Sequence, residues 1–276
     1  MTKIELTLTS IIITEGVFLL LFFQYSFLNI ILGIIIGMLL ILLTKKIKKN
    51  LFTSITIIIA SAFLYIIFLY KIIFFINENI LKNYSIIIIT ISLIIMSIYL
   101  SNNKYHTFIK MIEIIFYIIL FIKISALILT LPLIKISNLI IDFSYSYHLI
   151  YVSLFILYLY KIFFYINNHY LKKKELIISF INPLLIKVIS SLILGNPLSK
   201  LYKYPYVKYL QNIKYFNFIE RMDGILSFEY ILCFIMLISF CLLIIKEIII
   251  SLHRASLTRE SLRSKIFFLI SNINKN

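Results

Sequence analysis

Apolar runs recur along this chain with almost no interruption: Ile30 to Leu43, Ile86 to Leu100 and Ile225 to Ile245 contain almost nothing that wants water. A soluble domain cannot hide that much apolar surface in one core, and the remainder would form a continuous aggregation patch. Hydrocarbon as solvent removes the problem, and a helix then satisfies every backbone N–H and C=O internally. With 62% hydrophobic residues and a mean hydropathy of +1.05, the chain reads as an all-α, polytopic transmembrane helical bundle. Its function has to be read in lipid.

Charged residues and Asn, Lys and Pro punctuation divide the chain into about eight spans of helical length, near residues 6–23, 27–44, 53–75, 84–101, 108–131, 147–166, 176–194 and 224–248. This predicts one transmembrane helical domain over residues 1–250 and a basic cytoplasmic tail over 251–276. The first span carries Glu5 and Glu15, lacks a small-residue cleavage site and runs at once into a second span, so it is expected to stay in the protein. Lys45, Lys46, Lys48, Lys49, Lys104, Lys110, Lys172 to Lys174 and the basic tail lie on one side, which the positive-inside bias assigns to the cytoplasm together with both termini. Lys200, Lys203, Lys208 and Lys214 fall on the outer side, among Tyr202, Tyr204, Tyr206, Tyr209 and Tyr215. That loop reads as an interfacial segment, with rings at headgroup depth and lysines snorkelling outward.

Ile, Lys, Asn, Tyr and Phe are abundant while Gly and Pro are scarce, the pattern of an AT-biased coding sequence, so residues that resist the bias carry more information. Beside 23 lysines there are only four arginines, and Arg221 alone precedes Arg254, Arg259 and Arg263 of the C-terminal tail. The formal net charge of +16 sits in clusters between apolar runs, where it orients helices against anionic lipid. That distribution argues for the bilayer, and against nucleic acid, as partner. Cys233 and Cys241, eight apart on one predicted helix, share a face and read as packing residues that neither bridge nor cage a metal.

The stretch LILGNPLSKLYKYPYVKYLQNIKYFNFIERMDGILSFEYIL, Leu192 to Leu232, places Gly195 before Tyr204-Pro205, a short basic stretch, and Phe218, Glu220, Arg221, Met222 and Asp223 at the opening of a span. It resembles the corresponding segment of the B subunits of spore-germination receptors and related endospore permeases. Tyr99 to Leu139, with Leu131-Pro132 and Asn138-Leu139 at its end, is similar to that family's fifth span and the loop before it. The resemblance covers roughly two thirds of the chain. It implies a reduced amino acid, polyamine and organocation transporter fold, partner receptor subunits of the A and C type, a small amino-acid-like ligand, and residence in the bacterial inner spore membrane. With about eight spans against that family's usual ten, and TEGVFLLLFFQY where the first span of the fold usually breaks at glycines, the likeness is to a shortened, divergent member.

Independently of any family, Glu220-Arg221-Met222-Asp223 puts opposite charges at a helix start. There the acids suit the positive dipole end and unpaired N–H groups. The motif is either a capping and orientation device or an anchor in which the Arg221 fork holds a carboxylate. Four ionisable residues, Glu15, Lys123, Lys187 and Glu229, fall well inside spans, where a charge is costly and faces a cavity or another charge. Glu15 with Gly16 beside it is the leading site candidate, because glycine permits the irregular backbone that liganding carbonyls need. Lys123 reads as a fixed cation coupled to substrate, with a structural Glu15–Lys123 pair as the alternative. Glu113 and Lys161 lie nearer the interface and are expected to snorkel.

His106, His148, His169 and His253 are scattered near loops without metal-ligand spacing, and no Ser-His-Asp or phosphate-loop pattern is present. No enzyme activity, metal or cofactor is expected. The expectation is a germinant-receptor or permease-like subunit that recognises, or also translocates, an amino-acid-like ligand. The alternative is a non-transporting membrane scaffold that holds partner proteins.

Overall fold

The computed structural model describes residues 3–22, 25–44, 51–81, 84–138, 147–167, 173–195, 204–205 and 222–273. Among these the fold is all-α, without a strand: α1 (Lys3–Val17, continued by a π-helical turn, Phe18–Phe22), α2 (Phe27–Thr44), α3 (Leu51–Asn79), α4 (Ile86–Asn102), α5 (Tyr105–Thr130), α6 (His148–Asn167), α7 (Lys173–Leu194) and α8 (Met222–Ile273). Each of the eight predicted segments falls on one of these helices. Five stretches, Ile4–Leu21, Leu51–Asn79, Tyr105–Leu133, Glu175–Leu194 and Ser227–Arg254, are long and apolar enough to cross a membrane; α2, α4 and α6 supply shorter apolar helices. The last helix is continuous through residue 250, where the sequence suggested a change from domain to tail.

Two helices form the centre. The most apolar window of α1 is 78% buried and that of α8 is 72% buried, against 22% for α3 and for α5, so α3 and α5 present their apolar faces outward. The sequence of α1 explains its place: Thr9, Ser10 and Thr14 return their hydroxyls to backbone carbonyls within the helix. Small residues of this kind let neighbouring backbones approach in an apolar solvent. Gly16 does the same for α8. A Cβ there would lie 3.3 Å from the Cys233 carbonyl. The expected irregularity beside Glu15 falls one turn later, in the π turn Phe18–Phe22, and Gly16 itself stays in the regular helix.

Around this core α7 and α5 pack on α1, α3 and α4 pack on α8, and α2 pairs with α6. The α2–α6 seam is built on Gly33 and Gly37, spaced as in the small-residue dimer motif of membrane helices. A Cβ at Gly33 would come within 2.6 Å of Val152 Cβ and 2.9 Å of the Leu149 carbonyl, and one at Gly37 within 2.9 Å of Ile156 Cβ. Only hydrogen fits at Gly33 without displacing its neighbours.

Helix ends are satisfied from neighbouring elements. Lys246 of α8 donates to the carbonyls of Ser101, Asn102 and Asn103 at the end of α4, a cation on the negative end of a helix dipole. At the end of α7, Gly195 takes φ 79° and its N–H closes on the Ser191 carbonyl at 2.9 Å, the left-handed stop that glycine adopts without a Cβ penalty. The Lys135 N–H and the Asn138 amide reach the Leu192 carbonyl from the turns after α5. Gly195 and Asn138, drawn from two distant stretches of the chain, thus meet at one helix terminus.

Candidate functional site

Three of the four ionisable residues placed within spans converge. Glu15 from α1 and Lys123 from α5 form an ion pair, and Glu229 from α8 brings Oε1 to 3.7 Å from the same ammonium. The Glu15 and Glu229 side chains are 1% and 0% exposed and that of Lys123 is 11% exposed. Asn182 of α7 donates from Nδ2 to Glu15 Oε2 at 2.9 Å, so four different helices contribute to one polar cluster. Two carboxylates share one ammonium, and with all three ionised the cluster carries a formal charge of −1. Such a charge in a low-dielectric interior is held only by close opposite charges and hydrogen bonds.

The local sequence of α7 shows how it meets α1 at this level. Pro183 lies inside the helix and has no N–H, which leaves the carbonyl four residues earlier, at Ser179, without its usual donor. Thr14 Oγ1 lies 2.8 Å from that carbonyl. The hydroxyl also lies within reach of the Ser10 and Ile11 carbonyls, and its single proton is shared among the three. Thr14 stands directly before Glu15, and Asn182 directly before Pro183, so the contact that satisfies the proline break also sets the Glu15–Asn182 register.

A cleft of about 230 Å³ opens between α5 and α7. Its walls are apolar, from Leu120, Ile124 and Leu127 on α5 and Leu185, Ile186 and Ile189 on α7, and its polar lining is Lys123 and Asn182. Glu15 and Glu229 stand behind these two residues, away from the cleft surface.

The remaining sequence candidates separate from the cluster. Lys187, the fourth ionisable residue in a span, donates to the Tyr25 carbonyl and lies over the Phe27 ring at 5.2 Å. It ties α7 to the turn ahead of α2. Tyr25 in turn stacks on His148 with centroids 4.4 Å apart, which joins that turn to α6. Gly195 is the helix stop already described. Tyr204 and Pro205 are buried, with the Tyr204 ring edge-on to Phe75 at 4.8 Å. Burial, and then the charge of Glu78, hold the Tyr204 phenol above its ordinary value. Asp223 belongs to the first turn of α8. Phe218, Glu220 and Arg221 lie outside the described residues, as does most of the tyrosine-rich loop. Glu113 and Lys161 are partly exposed.

No family model, curated protein or solved structure matches the chain. What the protein does has to be read from the cluster and the cleft. Sequence reasoning missed Asn182 and Thr14. The visible signal was an Asn-Pro pair in the middle of an apolar run, since a proline there requires a donor from elsewhere.

Proposed function

We propose that this protein is an eight-span membrane subunit with both termini in the cytoplasm that recognises a small amino-acid-like ligand. In this reading it is a reduced, permease-like relative of germination-receptor B subunits, working with A- and C-type subunits in the inner spore membrane and leaving its ligand chemically unchanged. The observation that carries the reading is the Glu15–Lys123–Glu229 cluster with Asn182, reached from a 230 Å³ cleft. Charges buried within a bundle in lipid mark ligand or ion paths by default. An ammonium and an amide on an otherwise apolar wall are suited to fix the polar end of a small molecule whose side chain fills the rest.

The test is thermal unfolding of the protein in nanodiscs with a panel of amino acids. Ligand at about a hundredfold excess over Kd stabilises by about 2.7 kcal/mol, which raises Tm by several degrees in the native protein and leaves Asn182→Leu unmoved. If no amino acid shifts Tm, the scaffold reading stands instead. One observation favours that second reading: neither carboxylate lines the cleft, as a staple among α1, α5 and α8 would place them.

A further inference from the structure

The last helix outruns its span. The apolar stretch of α8 ends at Arg254, while the helix continues to Ile273. Leu252 still packs against the bundle core, and His253 and Arg254 beyond it are exposed. Residues 255–273 extend the helix by about 28 Å at the helical rise. No Gly or Pro follows Gly224, so the commonest causes of a sharp kink are missing. The extension therefore leads away from the bilayer and not along its surface.

A heptad spacing crosses that boundary. Within the bundle the positions three and four apart include Phe234, Ile238, Cys241 and Ile248, all buried, and then Leu252. In the extension the same register gives Ala255, Arg259, Leu262, Ile266, Leu269 and Ile273. Ile266 and Ile273 fall at a and Leu262 and Leu269 at d, the combination of a two-stranded coil, and Arg259 is the one polar residue on the seam. Phe267, Phe268 and Ile270 widen the apolar surface of the final turns. Ser256, Thr258, Ser261, Ser264 and Asn272 are weak helix formers, so a helix here draws its stability from packing.

The charges select what packs on it. A second copy would set Arg259 against Arg259 at the same level of the seam, like charges in the least hydrated part of the contact. Arg259 and Arg263, four apart, also repel within one helix. Lys265 and Arg263 are the charged residues at the g and e positions, where charge sets partner choice, and neither position carries an acid. Three of the four arginines of this lysine-rich chain, Arg254, Arg259 and Arg263, stand at or beyond the end of the span. Arginine offers a carboxylate the paired donors that lysine lacks.

We propose that residues 255–273 of α8 are a docking helix for an acidic amphipathic helix of a partner protein, its apolar seam on Leu262, Ile266 and Leu269 and its carboxylates at Arg259, Arg263 and Lys265. The interaction lies apart from the ligand-binding reading above, and no arm of its test uses the cleft.

The experiment uses the full chain in nanodiscs of zwitterionic lipid and a fluorescent heptad peptide with Ile at a, Leu at d, and Glu at e, at g and at the a position facing Arg259. Two controls are its twin with Lys in place of each Glu and an acidic peptide with Ser at a and d. Anisotropy should show the acidic heptad peptide binding at least about tenfold more tightly than either control, since charge sets the choice and apolar seams the affinity. Arg259→Glu should invert the preference in favour of the lysine twin, and Leu262→Ser with Ile266→Ser should weaken binding at least about tenfold. Equal binding of the serine control, or an unchanged preference in Arg259→Glu, would show plain charge attraction and overturn the proposal. So would self-association of the native protein that Leu262→Ser abolishes, because the seam would then belong to a second copy. A third contrary result would come from an environment-sensitive dye on Ser264→Cys: a blue shift in anionic lipid that the peptide does not reverse would place the helix on headgroups.

Discussion

Pro183, Thr14 and Ser179 show how one residue choice propagates in a solvent that offers no hydrogen bonds. The proline frees the Ser179 carbonyl, and the threonine of another helix returns a donor to it. Thr14→Val keeps the shape and removes the donor, so it should lower stability by about 1–3 kcal/mol, the cost of a stranded buried acceptor. Pro183→Ala in the same background restores an N–H and should recover most of that loss, read by thermal unfolding in nanodiscs. The buried charges were legible in the sequence because Glu15, Lys123 and Glu229 interrupt runs that otherwise exclude polarity. Their partnership was only half legible. Glu15 with Lys123 was among the alternatives, but the third member depends on the rotation of α8 about its axis, which hydropathy does not encode when a helix is apolar nearly all round. Arg221 carried weight in the sequence because it resists the compositional bias, and it falls outside the described residues.

The helices themselves were readable and their pairings were not. Length and hydropathy locate α1 to α8, yet nothing in them says that α1 and α8 form the centre while α3 and α5 face outward. Glycine spacing was the missed signal. Gly33 and Gly37, four apart in an apolar run, mark the face on which α2 meets α6. A graded result follows from the space at each position. Gly33→Ala places its methyl against backbone and should cost about 1–3 kcal/mol by overpacking, whereas Gly16→Ala meets α8 at ordinary to slightly tight contact and should cost less. Thermal unfolding of the two variants side by side checks the order. Lys246→Met removes the cation from the end of α4 and should destabilise by about 1 kcal/mol, with Lys246→Arg retaining most of the native value.

Across the bundle, the positive-inside bias predicts that Lys104, between α4 and α5, faces the cytoplasm and that Tyr84, between α3 and α4, faces outward. Cys233 and Cys241 are buried, so single cysteines introduced at Lys104 and Tyr84 can be labelled over a quiet background. An impermeant thiol reagent should reach Tyr84→Cys in intact cells and Lys104→Cys only after permeabilisation; the reverse pattern would invert the topology. Inside the bundle, charges from α1, α5 and α8 meet as one unit, two carboxylates to one ammonium. Lys123→Met then removes the ammonium that both carboxylates share and should cost at least about 3 kcal/mol, in the range for breaking a buried ion pair, while Glu15→Gln or Glu229→Gln leaves a neutral pair and costs less. The deciding measurement is the stability of Lys123→Met with both glutamates changed to Gln, compared with Lys123→Met alone in nanodiscs. The neutral triple variant is expected to recover most of the loss; a triple variant less stable than Lys123→Met alone would mean that the three residues do not act on one another.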